Sequence, residues 1–129
     1  MKILHTVESY LPSRHGMQEV VTQLSEKLVL MGHDVTVATS YDENRKSNII
    51  NGVKIADFNI KGNFVSGMGG DTGMYQDLLR SGKFDVITNF AAQQWATDLM
   101  LPILQEISAK KVWRPFVFGF LIGAEVGGA

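Results

Sequence analysis

The first forty residues combine two short apolar runs with one amphipathic stripe. The run from Lys2 to Val7 is rich in β-branched and aliphatic residues, which is typical of a buried strand. Apolar positions from Met17 onward fall at offsets of 0, 3, 4, 7, 11 and 14 residues, the spacing of one helical face. Gly32 ends this pattern, and Asp34 to Thr39 is predicted to be a second strand. The chain therefore begins with a strand, a loop, a helix and a strand.

A β-α-β unit of this length predicts two parallel strands joined by a right-handed crossover. Open sheets of this kind bind their ligands at the carboxyl ends of the strands. The polar loop from Glu8 to Gly16 and the N-terminus of the helix lie at that edge. This loop is therefore a candidate ligand site.

The next segment alternates charged, apolar and glycine-rich stretches. Tyr41 to Asn48 is predicted to be a charged loop, and Asn51-Gly52 is a strong turn signal. The alternation of apolar and polar residues from Val53 to Ile60 predicts a half-exposed strand. Lys61 to Gly73 is rich in glycine and is predicted to be irregular.

A second α/β unit follows. A short helix is predicted from Gly73 to Ser81, with Asp71 or Thr72 as its N-cap and Gly82 as its terminator. Phe84 to Asn89 is the next predicted strand.

The last predicted helix and strand each contain a proline. Gln93 to Ile107 has a helical pattern in which Pro102 is expected to cause a kink or a break. Lys111 to Val117 resembles a further strand, and Pro115 suits an edge or a strand end.

Together these elements predict one Rossmann-like domain over residues 1–129, with three α/β/α layers around a mainly parallel sheet. The 12 basic and 13 acidic residues give a net charge of −1 without a basic stripe, so no nucleic-acid partner is expected. With no cysteine, no apolar run long enough to span a bilayer and no signal peptide, a cytoplasmic, non-transmembrane protein is expected.

The C-terminal tail, residues 115–129, is unusual because it contains the most apolar stretch of the chain. Two interpretations remain open: a buried final strand or helix, and a surface that a missing continuation or another chain covers. In the second case a homo-oligomer would form through Phe116, Phe118, Phe120, Leu121 and Ile122.

The order of several motifs resembles the N-terminal domain of nucleotide-sugar glycosyltransferases with the B-type fold, in particular the retaining enzymes. The matching segments are His15-Gly16-Met17-Gln18, Gly32-His33-Asp34-Val35-Thr36-Val37, Asn51-Gly52-Val53-Lys54-Ile55, Phe84-Asp85-Val86-Ile87 and Trp95-Ala96-Thr97-Asp98-Leu99. The resemblance spans most of residues 1–115. It implies the acceptor-side half of an enzyme that transfers sugar from a nucleotide-sugar donor to a hydroxyl acceptor.

The resemblance also implies that the donor-binding half is not within these 129 residues. The chain is therefore expected to be a fragment or truncation that is inactive alone. Neither a metal nor a further cofactor is expected, because the three histidines lack ligand spacing. His5 is expected to be a packed core residue, and His33 to belong to a turn at the opposite edge of the sheet.

The resemblance places the substrate contacts in two loops. The predicted substrate-binding residues are Arg14, His15, Gly16, Met17, Asn89 and Gln93. Gly16 lets backbone N–H groups at a helix N-terminus approach an anion. His15 occupies the position of the family's first glycine, and its imidazole fills space near the phosphate site. No residue is assigned to catalysis, because the loop after Asn89 lacks the histidine that many family members carry.

Two rival functions remain. The first is a non-catalytic Rossmann-like module that oligomerises or binds a partner through residues 116–122. The second is a small flavodoxin-like or response-regulator domain, but the first strand is followed by neither an acidic pair nor a phosphate-binding Ser/Thr cluster.

Overall fold

A computed structural model describes residues 1–7, 10–12, 16–63, 67–90, 95–114, 116–117, 120–121 and 124–126. The strands are β1 (Lys2–Thr6), β2 (Asp34–Ser40), β3 (Ile49–Ile50), β4 (Val53–Phe58), β5 (Ile60–Asn63), β6 (Gly67–Gly70), β7 (Val86–Phe90), β8 (Lys110–Arg114), β9 (Phe116–Val117), β10 (Phe120–Leu121) and β11 (Ala124–Val126). The helices are α1 (Gly16–Leu30), α2 (Thr72–Ser81) and α3 (Trp95–Met100), and a 3₁₀ helix follows (Leu101–Glu106).

Seven of these strands form one sheet in the order β11-β8-β7-β1-β2-β4-β3. The five central strands are parallel, while β3 and β11 pair antiparallel at the two edges. The predicted α/β class with a mainly parallel sheet is therefore confirmed.

The central strands contribute alternate side chains to two apolar clusters. Ile3 and Val37 lie in one cluster with Val21 of α1. Leu4 of β1 lies in the other cluster with Tyr75 of α2 and further residues of α3. Strands buried on both faces carry apolar residues on each face, as do Ile3 and Leu4 of β1 and Val37 and Ala38 of β2.

The Asn51-Gly52 turn forms as predicted. Both residues have positive φ angles, 52° and 83°, and the turn pairs Ile50 with Val53. A Cβ on Gly52 would lie 2.7 Å from Cγ1 of Val29 in α1, so glycine also permits a close contact between the turn and the helix.

The prediction of an irregular segment from Lys61 to Gly73 is wrong. Ile60–Asn63 and Gly67–Gly70 form an antiparallel ladder of their own. Glycine is depleted in strands because it contributes no side-chain packing, so its presence in β6 concealed a strand held by backbone pairing. Gly70 has a φ of 100°, which glycine adopts easily at the end of the ladder.

The second helix begins and ends close to its predicted bounds, with Asp71 at the N-cap and Gly82 at the C-cap as predicted, but the contacts and backbone angles of these caps are unusual. Asp71 occupies the N-cap position and makes no side-chain capping bond. Its carboxylate instead accepts a hydrogen bond of 2.9 Å from the backbone N–H of Asn59. Gly82 has a right-handed φ of −69°, and the positive φ belongs to Lys83.

Pro102 divides the third helical segment as predicted. The α-helix ends at Met100, and a 3₁₀ helix follows in which Ile103 has non-helical angles. Proline removes one backbone donor and clashes with the preceding turn, so a continuous α-helix cannot pass through it.

The backbone of the C-terminal tail forms strands. β9 pairs antiparallel with β10, and β11 pairs antiparallel with β8. Phe118 and Ile122 lie outside the described residues. That another chain covers residues 116–122 stays a prediction. In the ranges given above, no helix has the length and apolarity needed to cross a bilayer.

Candidate functional site

The carboxyl ends of the parallel strands lie along one edge of the sheet. The order of the strands in the sheet reverses direction beside β1. β2 lies on one side of β1 and β7 on the other. Ligands of open α/β sheets bind at such an edge. Candidate sites therefore lie at the loops that follow the parallel strands, among them β1 and β2.

The sequence-predicted residues divide into two groups. The backbone of Gly16 begins α1, and Met17 follows in its first turn. Arg14, His15 and Gln93 lie outside the described residues. Helix α1 thus starts in the loop that follows β1, and the arrangement of Arg14 and His15 around it stays a prediction.

Asn89 lies near the end of β7, but its side chain is buried. Its exposed fraction is 1%. The amide oxygen accepts a hydrogen bond from Thr6 of β1, and the amide nitrogen donates one of 2.6 Å to Thr97 Oγ1 of α3. Asn89 therefore links two strands to a helix behind the edge of the sheet.

The start of α3 is fixed by further polar contacts. Trp95 Nε1 donates a hydrogen bond of 3.0 Å to Oγ of Ser40 at the end of β2. The hydroxyl of Tyr75 donates a hydrogen bond of 2.8 Å to the backbone oxygen of Ala96. Burial raises the pKa of this hydroxyl. Trp95 and Tyr75 also contact edge to face, with ring centroids 4.9 Å apart. These contacts join the start of α3 to β2 and α2.

Two histidines occupy structural positions. His5 is 2% exposed, Nδ1 lies 2.7 Å from Ser25 Oγ, and the ring meets the edge of Phe90. Burial lowers the pKa of His5 to about 4, so the imidazole is neutral at pH 7. His33 lies at the amino edge, where Nδ1 is 3.0 Å from the N-terminal amine of Met1. His5 is a core residue, as predicted.

A cavity of about 430 Å³ opens between the loops that follow β1 and β2. We call it the Arg45 cavity, and its lining consists of Leu11, Pro12, Asn44, Arg45, Lys46, Ser47 and Ile50. Leu11-Pro12 is a cis peptide. Most of its lining comes from loops at the carboxyl edge, Ile50 comes from β3, and the cavity has the size of a small-molecule site.

The guanidinium of Arg45 holds the two loops together. Nε donates a hydrogen bond of 2.8 Å to the backbone oxygen of Leu11, and Nη1 donates one of 3.2 Å to that of Ser40. Nη1 also lies 3.5 Å from the carboxylate of Asp57 in β4. The side chain is only 1% exposed. One cation thus connects the ends of β1, β2 and β4.

The third nitrogen of this guanidinium is different. Nη2 is buried and has no hydrogen-bond partner among the residues that the structure describes. A buried donor without a partner costs about 1–3 kcal/mol. Nη2 is therefore an unsatisfied donor enclosed by the surrounding protein.

The local backbone places Arg45 in this position. The carboxylate of Asp42 accepts a hydrogen bond of 2.9 Å from the N–H of Asn44, and its backbone oxygen accepts one of 3.0 Å from the N–H of Arg45. This Asx-type turn directs the chain back across the end of β2. The sequence indicated only a charged loop here, because the approach of Leu11 and Ser40 to Arg45 is a tertiary contact.

The charges around the cavity favour an anion. Arg45 and Lys46 both line it, and the described lining contains no carboxylate. Lys46 is exposed, and its Nζ donates to the backbone oxygen of Glu43 at 3.3 Å. The remaining wall from Leu11, Pro12 and Ile50 is apolar. This combination suits a small ligand with an anionic group and a less polar body.

A second cavity of about 460 Å³ lies on the 3₁₀ helix and is lined by Leu101, Pro102, Leu104, Gln105 and Glu106. All of these residues come from one short segment, which leads back to the amino edge before β8. The Arg45 cavity is the better candidate site because it joins two loops at the carboxyl edge.

The described part of the chain contains no group of three or more histidine, aspartate or glutamate side chains arranged to hold a metal ion. No protein-family model and no curated protein sequence matches the chain. What the chain does must therefore be inferred from its geometry and its own motifs.

Proposed function

We propose that these 129 residues form the N-terminal, acceptor-side domain of a nucleotide-sugar glycosyltransferase with the B-type fold. The domain would be Rossmann-like, with three α/β/α layers. The observation that carries the proposal is the Arg45 cavity, which opens between the loops after β1 and β2 at the carboxyl edge of a parallel sheet. Acceptor sites of this enzyme class lie on the same edge of the corresponding half.

The order of motifs supports the proposal. The Gly32-His33-Asp34 turn leads into β2, and the Asn51-Gly52 turn leads into β4. Both turns thus precede strands that lie side by side in the sheet. Two of the matching motifs thus precede neighbouring parallel strands, which supports the proposal.

The proposal assigns different tasks to different parts of the edge. The acceptor would occupy the Arg45 cavity, with its reacting hydroxyl directed toward the loop that precedes α1. The N-terminus of α1 at Gly16 would face the donor diphosphate, since backbone N–H groups and the helix dipole favour an anion there. The donor itself would be held mainly by a second domain.

This division of tasks predicts that the 129 residues bind nucleotide sugars weakly and transfer no sugar. Isothermal titration calorimetry with UDP-glucose, GDP-mannose and ADP-glucose should therefore give no micromolar affinity. Saturation-transfer NMR with a panel of monosaccharides, sugar phosphates and polyols should detect at least one acceptor. Micromolar binding of a nucleotide sugar, or an entirely silent acceptor panel, would refute the proposal.

A further inference from the structure

We propose that Asn51 is a site of spontaneous deamidation, and that Glu26 of α1 makes this modification release the Asn51-Gly52 turn from the helix. The modification replaces the neutral amide of Asn51 by a carboxylate. It depends on the turn and on α1 alone, whatever ligand the domain binds.

The first reason is the access of the reacting atoms to one another. Of all the asparagines in the chain, only Asn51 precedes a glycine. Both residues of the turn are exposed, and the N–H of Gly52 donates no hydrogen bond within the part of the chain that the structure describes. Because glycine has no Cβ, its backbone nitrogen can approach the side-chain carbonyl of Asn51 without steric hindrance.

The reaction needs only water as a co-reactant. The backbone nitrogen of Gly52 loses its proton to solvent base and attacks Cγ of Asn51, which closes a succinimide ring. The bond from Cγ to Nδ2 breaks, and Nδ2 takes up a proton from water and leaves as ammonia. Water then opens the ring at either carbonyl group. Residue 51 becomes aspartate or isoaspartate and gains a negative charge.

The second reason is the contact that the turn makes with α1. Nδ2 of Asn51 donates a hydrogen bond of 2.9 Å to Oε2 of Glu26. Deamidation removes this donor and leaves a carboxylate facing the carboxylate of Glu26, and like charges repel each other. The modification therefore converts an attractive contact between the turn and the helix into a repulsive one.

The third reason is the close fit of the turn. A Cβ on Gly52 would lie 2.7 Å from Cγ1 of Val29, so the turn lies directly against α1. The turn pairs Ile50 with Val53, and its length sets the register of β3 against β4. Isoaspartate lengthens the backbone of the turn, which disturbs this register. Ile50 also lines the Arg45 cavity, so the modification alters one wall of the candidate site.

The test of the modification is incubation of the folded chain in mildly alkaline buffer, followed by tryptic digestion and mass spectrometry. Trypsin releases the peptide from Ser47 to Lys54, which contains Asn51 and also Asn48 as an internal control. Asn48 precedes Ile49, whose β-branched side chain hinders attack by its nitrogen. Asn51 should lose its amide about tenfold faster than Asn48, which corresponds to about 1.4 kcal/mol in activation free energy. Equal rates at the two residues would overturn the modification site.

A set of variants tests the role of Glu26. Asn51→Asp introduces the charge of the product and keeps a residue type that tolerates a positive φ. It should lower the ratio of folded to unfolded protein about fivefold, measured by urea denaturation. In a Glu26→Gln background, which removes the facing charge and supplies an amide donor, the same substitution should cost less than about twofold.

Glu19→Gln provides the matched control background. Glu19 is a carboxylate of the same helix that contacts Gln23 rather than the turn. Asn51→Asp should therefore retain its fivefold cost in this background, as about the same loss is expected in the wild type. An equal cost of Asn51→Asp in all three backgrounds would overturn the role of Glu26.

NMR of the isotope-labelled chain after incubation tests the release of the turn directly. The amide signals of residues 49–53 and of Val29 in α1 should shift as Asn51 is converted, while those of α2 remain in place. Conversion of Asn51 with an unchanged signal of Val29 would show that the turn stays on the helix, and would overturn the release.

Discussion

The Nε of Arg45 donates a hydrogen bond of 2.8 Å to the backbone oxygen of Leu11. These residues lie in different loops, one after β2 and the other after β1. Because the guanidinium is buried, the bond holds the loops at a fixed separation and shapes the cavity between them. Arg45 thus contributes directly to the geometry of the candidate site.

Replacing Arg45 by methionine should therefore destabilise the protein as well as alter the site. The substitution removes the hydrogen bonds that the backbone oxygens of Leu11 and Ser40 accept from Arg45. We therefore expect a loss of about 3 kcal/mol in the free energy of unfolding. Urea denaturation measures it. Arg80→Gln, which removes only exposed ion pairs, should change this free energy by less than about 0.5 kcal/mol. Equal effects of the two variants would contradict the structural role of Arg45.

Stability should decrease as the pH falls below the unfolded pKa of His5. Burial lowers the folded-state pKa to about 4 from 6.5, so the unfolded chain binds the proton more readily. The contribution of neutral His5 to the free energy of unfolding is fully present above pH 6.5 and is lost as the pH falls from 6.5 to 4. It amounts to about 3 kcal/mol. Urea denaturation at pH 7.5 and 5.0 gives the difference.

His5→Gln serves as the matched variant for this pH effect. Its stability should change less between the two pH values than that of the wild type. Identical pH slopes for the two proteins would show that His5 does not carry the effect.

The Asn51-Gly52 turn provides a test of backbone strain. Gly52→Ala places a Cβ at a φ of 83° and 2.7 Å from Val29, so we expect a loss of about 1–3 kcal/mol. Gly73→Ala in α2 meets no atom within 4 Å and should instead raise stability by about 0.5–1 kcal/mol. Thermal unfolding of both variants gives the comparison, and a stabilised Gly52→Ala protein would disprove the turn geometry.

The buried network behind the sheet edge should be sensitive to loss of one hydroxyl. Thr97→Val removes the acceptor that lies 2.6 Å from the amide nitrogen of Asn89, and we expect a loss of about 1–3 kcal/mol. Ser81→Ala, whose exposed hydroxyl bonds to the backbone oxygen of Asp77, should change stability by less than about 0.5 kcal/mol. Chemical denaturation measures both, and a neutral Thr97→Val would argue against the network.

The sequence predicted the elements whose periodicity is strong. β1, α1 and β2 follow the predicted order because apolar spacing records which face is buried. The Asn51-Gly52 turn and the break at Pro102 were also predictable, since both depend on local backbone chemistry. The ladder of β5 and β6 was not predictable, because pairing through the backbone requires no apolar pattern in a glycine-rich sequence.

The candidate site was less accessible to sequence reasoning. The sequence predicts Asn89 at the end of its strand, but its burial depends on contacts with Thr6 and Thr97 from other elements. The sequence does not single out Arg45, because it lies in a charged loop and most cations in such loops are solvated. The signal that identifies it is the burial of its guanidinium, which only the folded chain reveals.

Chemical-shift mapping of a bound acceptor tests the central claim most directly. The ligand should be the strongest hit from the acceptor panel, titrated into the labelled wild-type chain. Our account predicts that the shifted amides cluster at Leu11 and residues 44–50, on the carboxyl edge of the sheet. A shift map centred on residues 31–33, 82–85 or 101–106 would place the ligand elsewhere and contradict the account.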